Sequence, residues 1–83
     1  MPRAKTRVFR IHRRPDGRYE ARNEFPADSP LGVDISLPLA VGSAHREAVL
    51  TSRNEGCRVV IEVEQTNGKW KRMEVVEPAR QAS

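Results

Sequence analysis

Two short turn sequences, Pro15-Asp16-Gly17 and Thr66-Asn67-Gly68, each lie between segments in which polar and apolar residues alternate. Alternation with a period of two is typical of strands that bury one face. A short loop that ends in glycine is typical of a hairpin, because glycine adopts the positive φ that such a turn needs. The pattern therefore predicts one hairpin near each end of the chain.

The first hairpin has a register that can be worked out from its loop. A three-residue loop at 15–17 places Arg13 opposite Tyr19 and Arg10 opposite Arg22, with the intervening pairs His12–Glu20 and Ile11–Ala21. Side chains alternate between the two faces of a strand. The predicted core face is Phe9, Ile11, Tyr19 and Ala21, and the predicted open face is Arg10, His12, Arg14, Arg18, Glu20 and Arg22.

The second hairpin allows two loop lengths. A two-residue Asn67-Gly68 loop would place Arg72 opposite Val63 and bring charge into the core face, whereas a three-residue loop sets Arg72 opposite Glu62. The apolar pattern favours the longer loop. The core face is then Val59, Ile61, Val63, Met73 and Val75, and the open face is Val60, Glu62, Glu64, Trp70, Arg72, Glu74 and Val76.

The segment between the hairpins contains a helical pattern. Ser43 is the predicted N-cap and Gly56 the predicted C-terminal end, with Val41, Ala44, Ala48 and Val49 on the face that packs against the sheet. Residues 26–42 contain three prolines, yet Val33, Ile35, Leu37 and Leu39 alternate with other residues. This segment is either a proline-containing loop or a fifth, edge strand at about 33–39.

These elements predict one α+β domain over residues 6–78, with two layers and the element order ββ(β)αββ. The helix covers one face of an antiparallel sheet of four strands, or five if the edge strand forms. Residues 1–5 are expected to be a disordered basic arm and residues 79–83 a disordered tail. In element order alone the chain is similar to small bacterial two-layer domains and to double-stranded-RNA-binding domains. It shares no motif with them, so the similarity implies no role for any individual residue.

Charge is unevenly distributed along the chain. The net charge is +4, but residues 1–22 hold eight bases against two acids. A basic segment of this kind is typical of contact with a polyanion. Twelve of the fifteen bases are arginine, and a GC-rich bacterial genome produces the same preference for arginine. We therefore expect a bacterial source, and genome composition is an alternative to polyanion binding as the explanation of the basic residues.

Several classes of chemistry find no support in the sequence. The single cysteine, Cys57, cannot form an internal disulfide and is expected to fill a gap in the core. The five glycines are isolated and form no phosphate loop. Ser43, His45 and Asp34 lack the nucleophile elbow and oxyanion loop that would surround a catalytic triad. His12 and His45 have no third metal ligand at a suitable spacing. With no signal-like or membrane-spanning segment, we expect a cytoplasmic protein without cofactor, metal or catalytic activity.

Two functions remain open. In the first, Arg10, Arg14, Arg18 and Arg22 bind nucleic-acid phosphates, Trp70 stacks on a base, and a flexible arm of Arg3, Lys5 and Arg7 assists. In the second, acids on the same face, Glu20, Glu24, Glu62 and Glu64, neutralise the arginines. The open face or an edge strand then serves a protein partner or a homodimer. The sequence does not distinguish DNA from RNA, or an exposed Trp70 from a buried one.

Overall fold

A computed structural model describes residues 6–25 and 28–78 of the chain. It contains five strands and one helix: β1 (Thr6–Arg13), β2 (Tyr19–Phe25), β3 (Ser29–Asp34), α1 (Leu37–Glu55), β4 (Arg58–Glu64) and β5 (Trp70–Val76). The strands form one sheet in the order β3-β2-β1-β4-β5, and the helix packs on one face. The predicted α+β class and element order are confirmed.

One pair of strands departs from the predicted antiparallel sheet, because β1 and β4 are parallel neighbours. The cause is the fifth strand. With β3 present, three strands precede α1, so the helix starts at the end of the sheet where β1 finishes and returns the chain to the end where β1 begins. β4 must then run in the same direction as β1, and both hairpin loops emerge at the same end of the sheet.

The first hairpin has the predicted register throughout the pairs given above. The amide of Arg14 donates to the carbonyl of Arg18 at 2.8 Å, and Gly17 has the positive φ, 87°, that the loop requires. Phe9 and Ile11 are fully buried beneath the helix. The core face of this hairpin is therefore confirmed.

The second hairpin has the predicted three-residue loop and the predicted placement of Arg72 opposite Glu62, but its register changes at a β-bulge. The charge pair expected between these two residues does not form, because the Glu62 carboxylate accepts from Arg10. Met73 is the extra residue, so Ile61 lies opposite Glu74 and Val59 opposite Val76. The prediction that Met73 and Val75 are core residues is wrong, and they are 43% and 40% exposed. Val76 packs against the core instead, and Glu74 faces the helix, where it contacts His45.

The helix begins earlier than the sequence predicted. Ser36 is the N-cap, its hydroxyl accepting from the amide of Leu39 at 3.4 Å, and Pro38 lies in the first turn, where its missing N–H costs nothing. Ser43 is inside the helix, so its predicted role as N-cap is wrong. The fifth strand exists at 29–34 rather than 33–39, because the alternating leucines belong to the first turn. Gly56 ends the helix at a φ of 64°, as predicted.

The core lies between α1 and the sheet. Ala40, Ala44 and Ala48 recur every four residues on the buried stripe of the helix, and their small side chains let the helix axis approach the sheet closely. They pack against Phe9, Ile11, Ala21, Cys57, Val59, Ile61 and Val63. The predicted burial of Ala44, Ala48 and Cys57 is confirmed.

The two hairpin loops and the start of the helix share one end of the molecule. We call residues 13–18 and 64–71 the hairpin end. The predicted basic arm at 1–5 and tail at 79–83 lie outside the described residues. In the described part of the chain, no helix has the length and apolar character needed to cross a bilayer.

Candidate functional site

Arg10 lies at the centre of the open sheet face and is held by three neighbours. Its Nε donates to Oε1 of Glu62 at 2.9 Å, and its Nη1 lies 3.5 Å from Oε1 of Glu24. The guanidinium carbon is 4.5 Å from the centroid of the half-buried Trp70 ring. This predicted site residue therefore has its charge compensated within the fold.

His12 completes the same cluster. Its ring is 5.0 Å from the Trp70 ring, centroid to centroid, at an interplanar angle of 81°, and its Nε2 is hydrogen-bonded to Glu24. The sequence prediction placed His12 and Trp70 on one face, and the parallel pairing of β1 with β4 brings them into contact. One face of the indole is covered by Arg10, which limits how much of Trp70 a base can reach.

Arg22 is also held by carboxylates. Its Nε donates to Asp28 at 2.8 Å and its Nη1 to Glu20 at 2.9 Å. The hydrogen bond to Asp28, with that to Glu20, raises the pKa of Arg22. The Arg10–Arg22 cross-strand pair is thus stabilised by acids on the same face, and a bound phosphate is not needed to relieve its repulsion.

Arg14 and Arg18 flank the first loop and lie at the hairpin end. The guanidinium of Arg14 is 3.6 Å from Asp16 and 3.8 Å from Glu20, which is longer than a direct hydrogen bond. Arg18 is exposed and makes no ion pair with another described residue; its backbone amide donates to Asp16 at 3.0 Å. Both arginines can turn towards a ligand at little cost.

The predicted basic arm loses one member. Arg7 is a residue of β1, and its side chain is hydrogen-bonded to Glu55 in the last turn of α1. Its assignment to a flexible arm is therefore wrong. Arg3 and Lys5 lie outside the described residues, and the strand that follows them starts at the end of the sheet opposite the hairpin end.

Charge is concentrated at the hairpin end. The described residues hold twelve bases and eleven acids, while the hairpin end alone holds five bases, Arg13, Arg14, Arg18, Lys69 and Lys71, and two acids, Asp16 and Glu64. The hairpin end therefore carries +3 and the rest of the described chain −2. The amino end of α1, with no acidic residue in its first turn, adds partial positive charge at the same end.

Three of these cations, Arg13, Lys69 and Lys71, were not in the predicted site. None of them makes an ion pair with another residue in the described ranges. The alternating pattern already placed Arg13 and Lys71 on the helix side of their strands. The alternating pattern does not predict the strand order. The two hairpin loops lie at one end of the sheet only because β1 and β4 are parallel neighbours.

A cleft of about 780 Å³ opens at the hairpin end on the helix side of the sheet. Tyr19, Leu37, Val63 and Met73 give it apolar walls. The charged residues that line it are three cations and one acid, Arg13, Arg14, Lys71 and Glu64. Tyr19 and Leu37 are half-buried against the core, so these walls are fixed by the fold.

No group of three or more histidine, cysteine, aspartate or glutamate residues within 6–25 and 28–78 is arranged to hold a metal ion. The chain matches no protein-family model, and searches of the curated proteins and of the solved structures returned no similar protein. The function must therefore be argued from the geometry described above.

Proposed function

We propose that this protein is a weak, phosphate-directed nucleic-acid-binding module whose contact surface is the hairpin end. The observation that carries the proposal is a group of five cations at this end, none of whose side chains makes a direct hydrogen bond to a carboxylate of another described residue, while the rest of the described chain carries −2. Exposed arginine and lysine side chains bind phosphates by releasing the counterions of the nucleic acid. Such contacts fix a position on the backbone and read no sequence.

The surface differs from the one the sequence suggested. Arg14 and Arg18 remain in it, and Arg13, Lys69 and Lys71 join it. Arg10 and Arg22 contribute little, because a phosphate would have to displace the carboxylates that already bind them. Trp70 immediately adjoins Lys69 at the start of β5, so the exposed part of its ring reports on binding at this end.

A charge-matched pair of double variants tests the proposal. R18Q/K69Q removes two cations from the hairpin end, and R46Q/R53Q removes two from α1; none of the four makes an ion pair with a described residue. Binding of a fluorescein-labelled single strand is measured by anisotropy at about 50 and 200 mM salt, the range in which phosphate contacts weaken steeply. We expect R18Q/K69Q to weaken binding and to flatten the salt dependence by about one unit of slope for each phosphate that is no longer neutralised. Equal weakening in the two variants would contradict a localised surface.

Protein association through the open sheet face is the second candidate. The partly exposed Val8 and Val75 lie on the same face as the Arg10–Trp70 pair, and tryptophan and arginine are enriched at the centres of protein interfaces. The edge strands are less suitable, because β3 contains Pro30 and both edges carry bulges. Sedimentation velocity tests self-association, and a monomer at every concentration would exclude a homodimer.

A further inference from the structure

We infer that the cleft at the hairpin end is a nucleoside-phosphate site, which takes the terminal nucleotide of a single strand or a free nucleotide. The inference rests on the proposed function, since it adds a specific pocket to the phosphate-binding surface. The cleft volume of about 780 Å³ is in the range of small-molecule sites and exceeds what a bare phosphate needs. Its walls indicate that the ligand has an apolar part.

The apolar walls suit a planar base. The Tyr19 ring is half-buried against the core and therefore offers a fixed aromatic surface for stacking. Met73 lines the cleft from the other hairpin and is 43% exposed, with a polarisable thioether that adapts to an aromatic partner. Met73 is the extra residue of the β5 bulge, and bulges commonly redirect a side chain towards a binding site.

The charges suit a phosphate. Arg13, on β1, lies opposite Tyr19 of β2, and Lys71, on β5, lies opposite Val63 of β4. The two cations therefore flank β4 on the helix side of the sheet. Both are exposed and neither makes an ion pair with another described residue. A base against Tyr19 and Met73 would leave its phosphate near these two cations. The cleft therefore presents stacking and anion-binding groups at once.

The same geometry selects unpaired nucleotides. A base can enter the cleft only when it is unstacked from its neighbours, and a duplex base must first be unpaired and flipped out of the stack. A strand end or a free nucleotide avoids this cost. A duplex is therefore expected to contact the exposed cations and to leave the cleft empty.

The test uses two variants on the same strand with the same change in charge. Met73→Glu introduces a carboxylate into the cleft, and Val75→Glu introduces one at a similarly exposed position on the open face. The probes are adenosine 5′-monophosphate, inorganic phosphate, and a single strand of about eight nucleotides. Binding of each probe to the wild type is followed by the NMR signals of the Met73 and Leu37 methyl groups. Affinities of the wild type and both variants are compared by calorimetry.

We expect adenosine monophosphate to shift both methyl signals and inorganic phosphate to shift them far less. Met73→Glu should weaken nucleotide binding about tenfold, and Val75→Glu should leave it nearly unchanged. Stronger binding of the strand than of the monophosphate, with the same methyl shifts, would identify a strand end as the ligand. The reverse order would identify a free nucleotide.

Other results would overturn the inference. If the single strand binds while neither the strand nor adenosine monophosphate moves the Met73 and Leu37 signals, or if Met73→Glu and Val75→Glu weaken nucleotide binding equally, the cleft takes no nucleotide while the proposed phosphate-binding function stands. If neither the strand nor the monophosphate binds, both the inference and the proposed function fail. If inorganic phosphate reproduces the nucleotide shifts in full, the apolar walls play no part and the inference is wrong.

Discussion

The guanidinium of Arg10 lies over the ring of Trp70, 4.5 Å from its centroid, while its Nε donates to Glu62. The cation and the aromatic ring that the sequence offered as a nucleic-acid site therefore bind each other. Their contact joins β1 to β5 across β4 and fixes the open face of the sheet. The charge of Arg10 stabilises the fold, and we assign the ligand-binding role to the cations of the hairpin end, whose side chains make no direct hydrogen bond to a carboxylate of a described residue.

Removing the Arg10 charge is expected to destabilise the fold. Arg10→Gln removes a cation–π interaction and leaves Glu62 without its cation, while Glu24 keeps its hydrogen bond to His12. The loss is expected to cost about 1–2 kcal/mol. Arg72→Gln is the control, since Arg72 is on the same face and makes no ion pair with a described residue. Urea denaturation measures both, and an equal destabilisation in the control would contradict a structural role for Arg10.

The helix caps make a second prediction. Ser36→Ala removes the hydroxyl that accepts from the amide of Leu39 and should cost about 1 kcal/mol of unfolding free energy. Ser43→Ala should be neutral or slightly stabilising, because Ser43 lies inside the helix and alanine has the higher helix propensity. Thermal denaturation of the two variants decides between the caps. A larger destabilisation in Ser43→Ala would show that the helix begins there.

A buried hydroxyl gives a third prediction. Ser52 is 2% exposed, and among the described residues its Oγ is a buried side-chain oxygen without a hydrogen-bond partner. Ser52→Ala removes this unsatisfied group and improves helix propensity, so it should stabilise the protein by about 1 kcal/mol. The denaturation midpoint measures the change. A fall in the midpoint would mean that the hydroxyl makes a bond important to the fold.

The division between structural and ligand-binding arginines gives a fourth prediction. The double variants R10Q/R22Q and R13Q/R18Q each remove two positive charges from the first hairpin. R10Q/R22Q removes them from the open face, and R13Q/R18Q removes them from the hairpin end. At about 150 mM salt, where screening acts over roughly 8 Å, we expect only R13Q/R18Q to weaken binding of a single-stranded oligonucleotide severalfold. If R10Q/R22Q remains folded and binds more weakly than R13Q/R18Q, the open face rather than the hairpin end binds the phosphates.

Local sequence signals predicted much of this fold. The glycine positions and alternating residues predict both loops and the register of the first hairpin from Arg13–Tyr19 to Arg10–Arg22, because each depends on neighbours within a few residues. The pattern favours Ser43 as the cap because the leucines at 37 and 39 also fit a strand, whereas in the structure they follow the N-cap Ser36 in the first turn of the helix. The bulge at Met73 was invisible because Met73 and Val75 continue the apolar alternation of the strand.

The candidate site depended on information of longer range. The contact of Arg10 with Glu62 follows from the pairing of β1 with β4, and the sequence pattern does not contain strand order. The sequence therefore leaves open whether Arg10 and Arg22 bind phosphates or are neutralised by acids, and in the structure Glu62 and Asp28 hold them. The sequence does not predict that Arg13 and Lys71 lie at the same end of the sheet. Their proximity requires the parallel β1–β4 pair, which in turn requires β3.

The most direct test of the proposed function is a map of oligonucleotide contacts on the protein. Backbone amide NMR signals are followed while a single strand of about eight nucleotides is added at low salt. We predict that the largest shifts fall in residues 13–18 and 64–71, that the outer surface of α1 is unaffected, and that the shifts disappear as salt rises. Shifts centred on the helix, or no shifts at low salt, would contradict the claim that the hairpin end binds nucleic acid.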